Sequence, residues 1–228
     1  MDYKAKFTGL GHLNTDTLRA LSCVIPISLG NTSQTSEKLQ VTLSSVSKYF
    51  GHCSILIADT LHRYNQENIS RQTLHECGKN WLQKNQTYLH ALTIPYTIIY
   101  WEKCLQAPGY TKAKQKVNEL YRKSEKYRLL VQQDAMLYLK RQTNSSKAMT
   151  RCTHATSTNS INYFLEETAV TISYFVEHHF NVIIYPGKIP SSIEYVINKY
   201  VKPTHPDLLM SSKVYFKKRQ TKLSKHPF

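Results

Sequence analysis

Glycine-rich signatures are missing from this chain. It has 7 glycines, and none forms Gly-x-Gly-x-x-Gly or a P-loop, so a nucleotide cofactor is not indicated. Cysteine is sparse too. Cys23, Cys53, Cys77, Cys104 and Cys152 are odd in number, widely spaced and form no Cys-x-x-Cys pair. That argues against a disulfide framework and a zinc site, and it fits a reducing cytoplasm. No apolar run approaches the ~18 residues that a membrane span needs. The N-terminus carries Asp2, Lys4 and Lys6 and has no apolar signal core. Acid is scarce: 15 Asp and Glu stand against 30 Lys and Arg, a formal net charge of +15. A surplus of that size points to a polyanionic partner, nucleic acid or an anionic membrane.

What is present suits one α/β domain with a sizeable core, spanning 1–228 with its core about 20–205. The 16 tyrosines suit interfaces and polar pockets. Strand-like runs rich in Ile, Val and Tyr occur at Ser22–Ser28, Cys53–Asp59, Ile94–Trp101 and Asn181–Tyr185. Helical patterns fall at Ser36–Phe50, Ile69–Leu92, Tyr110–Arg141, Ile161–His179 and Ser191–Tyr200. The alternation predicts a Rossmann-like domain with a mainly parallel sheet flanked by helices. Gln142–Ser160 reads as a loop, and Ser211–Phe228 as a basic, mobile tail.

Ser28 ends the first of these runs, Cys23-Val24-Ile25-Pro26-Ile27-Ser28, and small polar residues follow it. A buried strand, a tight turn and a helix N-terminus are expected there. In an open α/β sheet that rim faces substrate, and the helix offers N–H groups to developing negative charge. Ser28 is therefore a candidate nucleophile. A serine in this place is more often a helix cap, and the hydrolase template Gly-x-Ser-x-Gly fits poorly because Pro26 replaces its first glycine.

Positive charge gathers in three groups. Arg71, Lys79 and Lys84, with His75 and His90, follow the second strand. Lys112, Lys116, Arg122 and Lys123 lie on the long helix, and Lys213, Lys217 and Lys218 are in the tail. Acidic residues are few nearby, so contact with a phosphate backbone is the economical explanation; a solvated helix face is the bland one. Farther on, Tyr163 and Glu167 are four apart and share a helix face with Val170 and Tyr174. Desolvation on that face would raise the carboxyl pKa, as suits a general acid/base. Glu166, one position away, is expected to face solvent. Tyr185 ends another strand on the same rim as Ser28.

Together these pieces resemble the tRNA-dependent cyclodipeptide synthases. Ile27-Ser28-Leu29-Gly30-Asn31 is similar to the family's nucleophile segment. Ala58-Asp59-Thr60 resembles the end of its second strand. The basic helix Ser70–Leu89 falls where the family binds the acceptor stem, and Ala107-Pro108-Gly109-Tyr110 resembles the start of its long helix. The resemblance covers roughly residues 20–200 and implies a fold similar to the catalytic domain of class I aminoacyl-tRNA synthetases.

It also implies roles. Ser28 would carry the aminoacyl group, Tyr163 and Glu167 would handle the substrate amino group, and Tyr185 would assist ring closure. Asn31 and Tyr110 would contact substrate, with Val24 and Pro26 lining the first side-chain pocket. Arg71, Lys79, Lys84, Lys112, Lys116, Arg122 and Lys123 would hold tRNA. Two aminoacyl-tRNAs would be the partners of a cytoplasmic monomer that uses no ATP, metal, DNA or membrane. The sequence departs from the family in two places. The family has glycine where Pro26 stands, so oxyanion donors must come from the turn after Ser28. Asn31 and Tyr185-Pro186 match different subgroups of the family.

Two other readings remain. Gly9-Leu10-Gly11-His12 and Met210-Ser211-Ser212-Lys213 echo the ATP motifs of class I aminoacyl-tRNA synthetases. A noncatalytic RNA-binding protein would use the basic helices, with Ser28 as a cap.

Overall fold

The computed structural model describes residues 3–11, 13–66, 68–145 and 157–218. Among them run β1 (Tyr3–Phe7), α1 (Thr15–Arg19), β2 (Ser22–Ile27), α2 (Ser36–Tyr49), β3 (His52–Ile57), α3 (Arg71–Leu89), β4 (Tyr96–Tyr100), α4 (Trp101–Leu105), α5 (Tyr110–Lys123), α6 (Glu125–Ser145), α7 (Ser157–Val170), β5 (Val182–Tyr185), α8 (Ser191–Val196) and β6 (Met210–Lys218). The strands form one six-stranded sheet of order β1-β6-β5-β2-β3-β4. β6, β5, β2, β3 and β4 are mutually parallel, and β1 pairs antiparallel with β6. The expected Rossmann-like architecture is what the chain forms.

Alternation along the strands sorts the core into two layers. Val24 and Leu56 face one side, where they pack with Val117 of α5, Val131 of α6, Phe164 of α7 and Val196 of α8. Cys23, Ile25, Ile27, Ile55 and Ile57 face the other, with Leu39 and Leu43 of α2 and Trp81 of α3. Both faces are covered, which is why β2 and β3 read as almost continuous apolar runs. The chain crosses to the far side of β2 between β4 and β5. β2 therefore sits at the point where the strand order reverses, and the crevice at the strand ends opens there.

Three expectations need correction. The stretch Tyr110–Arg141 is two helices. Ser124 takes an extended backbone (φ −104°, ψ 107°) between α5 and α6, and its Oγ accepts the Tyr127 N–H at 3.3 Å, capping α6. The tail from Ser211 begins as the ordered strand β6, whose Ser212 and Val214 point inward while lysines occupy outer positions; residues 219–228 lie outside the described set. The predicted loop 142–160 starts and ends as helix: α6 runs to Ser145 and α7 begins at Ser157.

Candidate functional site at the ends of β2 and β5

Ser28 is held in a turn whose backbone groups are mostly spoken for. Its N–H donates to Gln34 Oε1 at 2.9 Å, and its carbonyl accepts the Asn31 N–H at 3.1 Å. Asn31 Oδ1 in turn accepts the Ser33 N–H at 3.0 Å, and Gly30 supplies the left-handed backbone (φ +88°) that closes the turn. Among the described residues the N–H groups of Leu29 and Gly30 have no protein acceptor, so they are the donors available for an oxyanion.

Gln34, almost fully buried, was not anticipated from the sequence. Its Nε2 donates to the Pro26 carbonyl at 2.5 Å while its Oε1 holds Ser28. The β2–β5 ladder pairs only Cys23 with Val182 and Val24 with Ile183. Pro26 thus lies beyond the last rung, where a missing N–H breaks no sheet bond, and the side chain of Gln34 substitutes for the lost strand partner.

Tyr185, at the end of β5, puts its hydroxyl 3.2 Å from Ser28 Oγ. Burial and the nearby Glu167 push the Tyr185 pKa up; Ser28 and Asn31 hydrogen bonds work the other way. Tyr163 of α7 is buried, stacks on Tyr138 at 5.3 Å, and has its pKa pushed well up by burial and then by Glu167, with a Ser28 hydrogen bond opposing. Glu167, one helical turn on, has a pKa pushed up to about 8, by burial first and by Asp134 second. Asp134 is itself fixed by the Ser192 N–H (2.8 Å) and Oγ (2.7 Å). The structure thus gathers Ser28, Asn31, Tyr163, Glu167 and Tyr185 in one place. Val24 is fully buried on the same strand face, and Pro26 is half-buried beside it.

The Glu167 shift has a consequence for stability. Between about pH 4.5 and about pH 8 the folded protein holds a proton there that the unfolded chain has released. Stability attributable to this group therefore falls as pH rises through that window. Chemical denaturation near about pH 6 and about pH 9 should show the wild type losing roughly 2 to 3 kcal/mol more than Glu167→Gln. Parallel losses would show that Glu167 titrates as an ordinary carboxylate.

Glu166 corrects the sequence reading. It does not face solvent: it is 1% exposed and ion-paired with Arg63. The Tyr64 hydroxyl (3.0 Å), Trp101 Nε1 (2.9 Å) and the Tyr110 hydroxyl (3.4 Å) also donate to it. From Tyr163 through Val170 every residue of α7 is buried except Glu167, which is half-buried, so Glu166 meets protein and not solvent. The signal in the sequence was that apolar residues flank the two glutamates on both sides, Tyr163-Phe164-Leu165 before them and Ala169-Val170 after. Tyr110 is therefore brought to Glu166 rather than to Ser28, and burial followed by Glu166 raises its pKa.

A second buried carboxylate, Asp59, closes the end of β3. Oδ1 accepts the Trp101 N–H at 3.1 Å, and Oδ2 meets His75 Nδ1 at 2.8 Å. α3 comes this close because position 78 is glycine: a Cβ there would lie 2.8 Å from Asp59 Cβ. Alanine ordinarily favours a helix over glycine by about 1 kcal/mol, but overpacking costs about 1–3 kcal/mol. Gly78→Ala is expected to lower the melting temperature, and a rise in it would contradict the packing.

The basic residues divide between the two layers. Arg71, Lys79 and Lys84 ride on α3, on one side of the sheet; Lys112, Lys116, Arg122 and Lys123 ride on α5, on the other. Some charge is locally answered, contrary to expectation: Arg71 pairs with Glu102 (3.3 Å), Lys79 with Glu76 (2.9 Å) and Lys123 with Glu119 (2.5 Å). The synthetase echoes do not form a nucleotide site. Met210–Lys213 is extended ladder paired with Val182–Tyr185, and Gly9 packs on the Ser211 carbonyl; His12 lies outside the described residues.

Among the described residues no helix is long and apolar enough to cross a membrane, and no group of three His, Cys, Asp or Glu could hold a metal. Cys23, Cys53, Cys77 and Cys104 are free, and Cys152 lies outside the described residues.

No protein-family model and no curated protein matches the chain. Solved structures do. A CDPS (cyclodipeptide synthase) from Fluoribacter dumoffii superimposes with a TM-score of 0.85 at 23% identity, over 95% of this chain and 99% of that one. The cyclodipeptide synthase from Candidatus Glomeribacter gigasporarum bound to Phe-tRNAPhe gives 0.68 at 18%, over 91% and 93%. A Mycobacterium tuberculosis protein, whose structure relates cyclodipeptide synthetases to type I tRNA synthetases, gives 0.59 at 10%, over 96% and 94%. The chain therefore has the cyclodipeptide synthase fold.

Proposed function

We propose that the chain is a tRNA-dependent cyclodipeptide synthase acting through covalent esters on Ser28. The observation that carries this reading is the Ser28 Oγ at 3.2 Å from the Tyr185 hydroxyl, in the crevice where β2 and β5 part. Beside it sit Tyr163 and a carboxyl, Glu167, whose pKa of about 8 suits proton transfer near neutrality.

Aminoacyl-tRNA is an activated ester, so the scheme needs neither ATP nor metal. Ser28 Oγ attacks the aminoacyl carbonyl and releases the tRNA, leaving an aminoacyl ester. Its proton passes through the Tyr185 hydroxyl to the departing tRNA 3′ oxygen, and the oxyanion is met by the Leu29 and Gly30 N–H groups. Tyr163 and Glu167 hold the amino group. That amine then attacks a second aminoacyl-tRNA, with Glu167 relaying the proton, its carboxyl giving one to the departing tRNA 3′ oxygen as it takes one from the amine. The new terminal amine attacks the Ser28 ester, closing a diketopiperazine and freeing the serine. The protein would act as a cytoplasmic monomer that binds two aminoacyl-tRNAs per turnover. Glu166 and Tyr110 would hold α7 in place rather than touch the reacting atoms.

The test is mass spectrometry on medium from bacteria expressing the wild type or Ser28→Ala. Cyclic dipeptide masses in the wild type alone support the synthase and identify the residues joined. Their absence, from folded protein that binds tRNA, would favour a noncatalytic RNA-binding protein.

A further inference from the structure

Three lysines from three helical segments converge on two tyrosines in the layer opposite α3. Lys116 Nζ of α5 lies 4.4 Å from the centre of the Tyr200 ring, and Lys199 Nζ lies 5.3 Å from it. The Tyr195 ring of α8 has Lys126 Nζ of α6 at 5.6 Å and Lys199 Nζ at 5.5 Å. Lys199 Nζ also donates to the Tyr195 hydroxyl at 3.2 Å. Tyr195 is anchored from beneath by the buried Tyr127, stacked at 5.9 Å. The three lysines are exposed and the two tyrosines half-buried.

Among the described residues none of these lysines has a carboxylate within 4.0 Å. On α3, by contrast, Arg71 and Lys79 each have a glutamate partner. Like charges gathered without counter-charge repel one another, and a polyanion relieves that repulsion. The ring faces restrain the flexible lysine stems and so hold the ammonium groups ready for phosphates. Tyrosines half-exposed among lysines also offer a stacking surface to an unpaired base, a combination typical of RNA contact.

We propose that this patch is a second RNA-binding surface, separate from α3, that receives the second aminoacyl-tRNA once the first has acylated Ser28. The inference rests on the synthase reading above. Two unconnected basic surfaces on opposite layers match a reaction that consumes two charged tRNAs in turn. In the step served here, the amine on the Ser28-bound aminoacyl group attacks the incoming ester carbonyl. A C–N bond forms, the ester C–O bond breaks, and the tRNA 3′-terminal oxygen leaves with the proton that the amine gives up.

Lys126→Glu/Lys199→Glu tests it in single-turnover reactions with radiolabelled aminoacyl-tRNA. Label on the protein reports the first step, and cyclic dipeptide reports the second. The expected result is labelling at the wild-type rate, product formation slowed about tenfold or more, and a salt dependence shallower by about one log unit per lost phosphate contact. Equal slowing of both steps would mean one shared tRNA site and would overturn the proposal, as would no change in either. Loss of adhesion to phosphatidylserine vesicles with both steps intact would make the patch a lipid surface and equally overturn it. A wild type that never carries label fails the synthase reading itself, which the labelling arm detects separately.

Discussion

Ser28→Ala is expected to abolish both protein labelling by aminoacyl-tRNA and cyclic dipeptide formation, while leaving the fold and tRNA binding as they are. The loss should be large because the hydroxyl is the only part of Ser28 left for chemistry. Its N–H is held by Gln34 and its carbonyl by Asn31, so the turn survives removal of Oγ. Tyr185 loses a hydrogen-bond partner at 3.2 Å but keeps Asn31. Removing a nucleophile from an assembled site costs on the order of 10⁴-fold in rate or more. Quenched-flow labelling and product mass spectrometry read both effects. A variant within about tenfold of wild type on either readout would exclude an ester on Ser28, since lost packing or lost tRNA contact alone accounts for effects of only about that size.

The parts of this molecule that read clearly in the sequence are those governed by local pattern. β2 and β3 are runs of Ile, Val and Leu buried on both faces, and their ends fixed Ser28 and Asp59 on one rim. The helical spacing of Tyr163 and Glu167 put both on one face of α7, and the family resemblance set that face beside Ser28. What did not read was governed by partners distant in sequence. β1 alternates lysine with Tyr, Ala and Phe, and β6 has two serines after its opening Met210 and closes on two lysines, so each looks like charged coil until the other is beside it. Ser124 splits α5 from α6 by acting as a cap, within a stretch whose apolar periodicity hides the break. Gln34 could not be seen as a strand substitute without knowing that β5 stops pairing with β2 at Val24. Glu166 was assigned to water by counting helix positions, but the second half of α7 is enclosed on every side and only its first turns, at Ser157, Thr158 and Asn162, are exposed. The basic residues separate into groups along the sequence, but that the sheet lies between those on α3 and those on α5 depends on packing that no local pattern carries.

Glu166→Ala is expected to be among the most destabilising single substitutions in the chain, although Glu166 does not touch the reacting atoms. The change leaves the Arg63 guanidinium without its anion, and the Trp101 indole N–H and the Tyr64 and Tyr110 hydroxyls without their common acceptor. Removing one member of a buried, hydrogen-bonded ion pair costs about 3–5 kcal/mol. In a chain of this length that lowers the melting temperature by roughly 6–20 °C. Arg63→Ala should cost a similar amount, because it strands a carboxylate that is 1% exposed. The double variant Arg63→Met/Glu166→Leu is the informative comparison. Replacing both charges by apolar groups removes the stranded charge but leaves the Trp101, Tyr64 and Tyr110 donors unpaired, so the double should regain the part of the loss that comes from the charge. Thermal and urea unfolding of the wild type, Arg63→Met, Glu166→Leu and the double variant closes the cycle. If both singles lose less than about 1 kcal/mol, within the range of a surface ion pair, the network does not bear on folding. If the double variant is as unstable as the sum of the singles, the damage comes from lost packing around α7 rather than from a stranded charge. Regained stability would locate the function of the pair in neutralising each other at the one place where α7, α5 and the turn after β3 meet, which sets the rotation of α7 and hence the direction in which Tyr163 and Glu167 point.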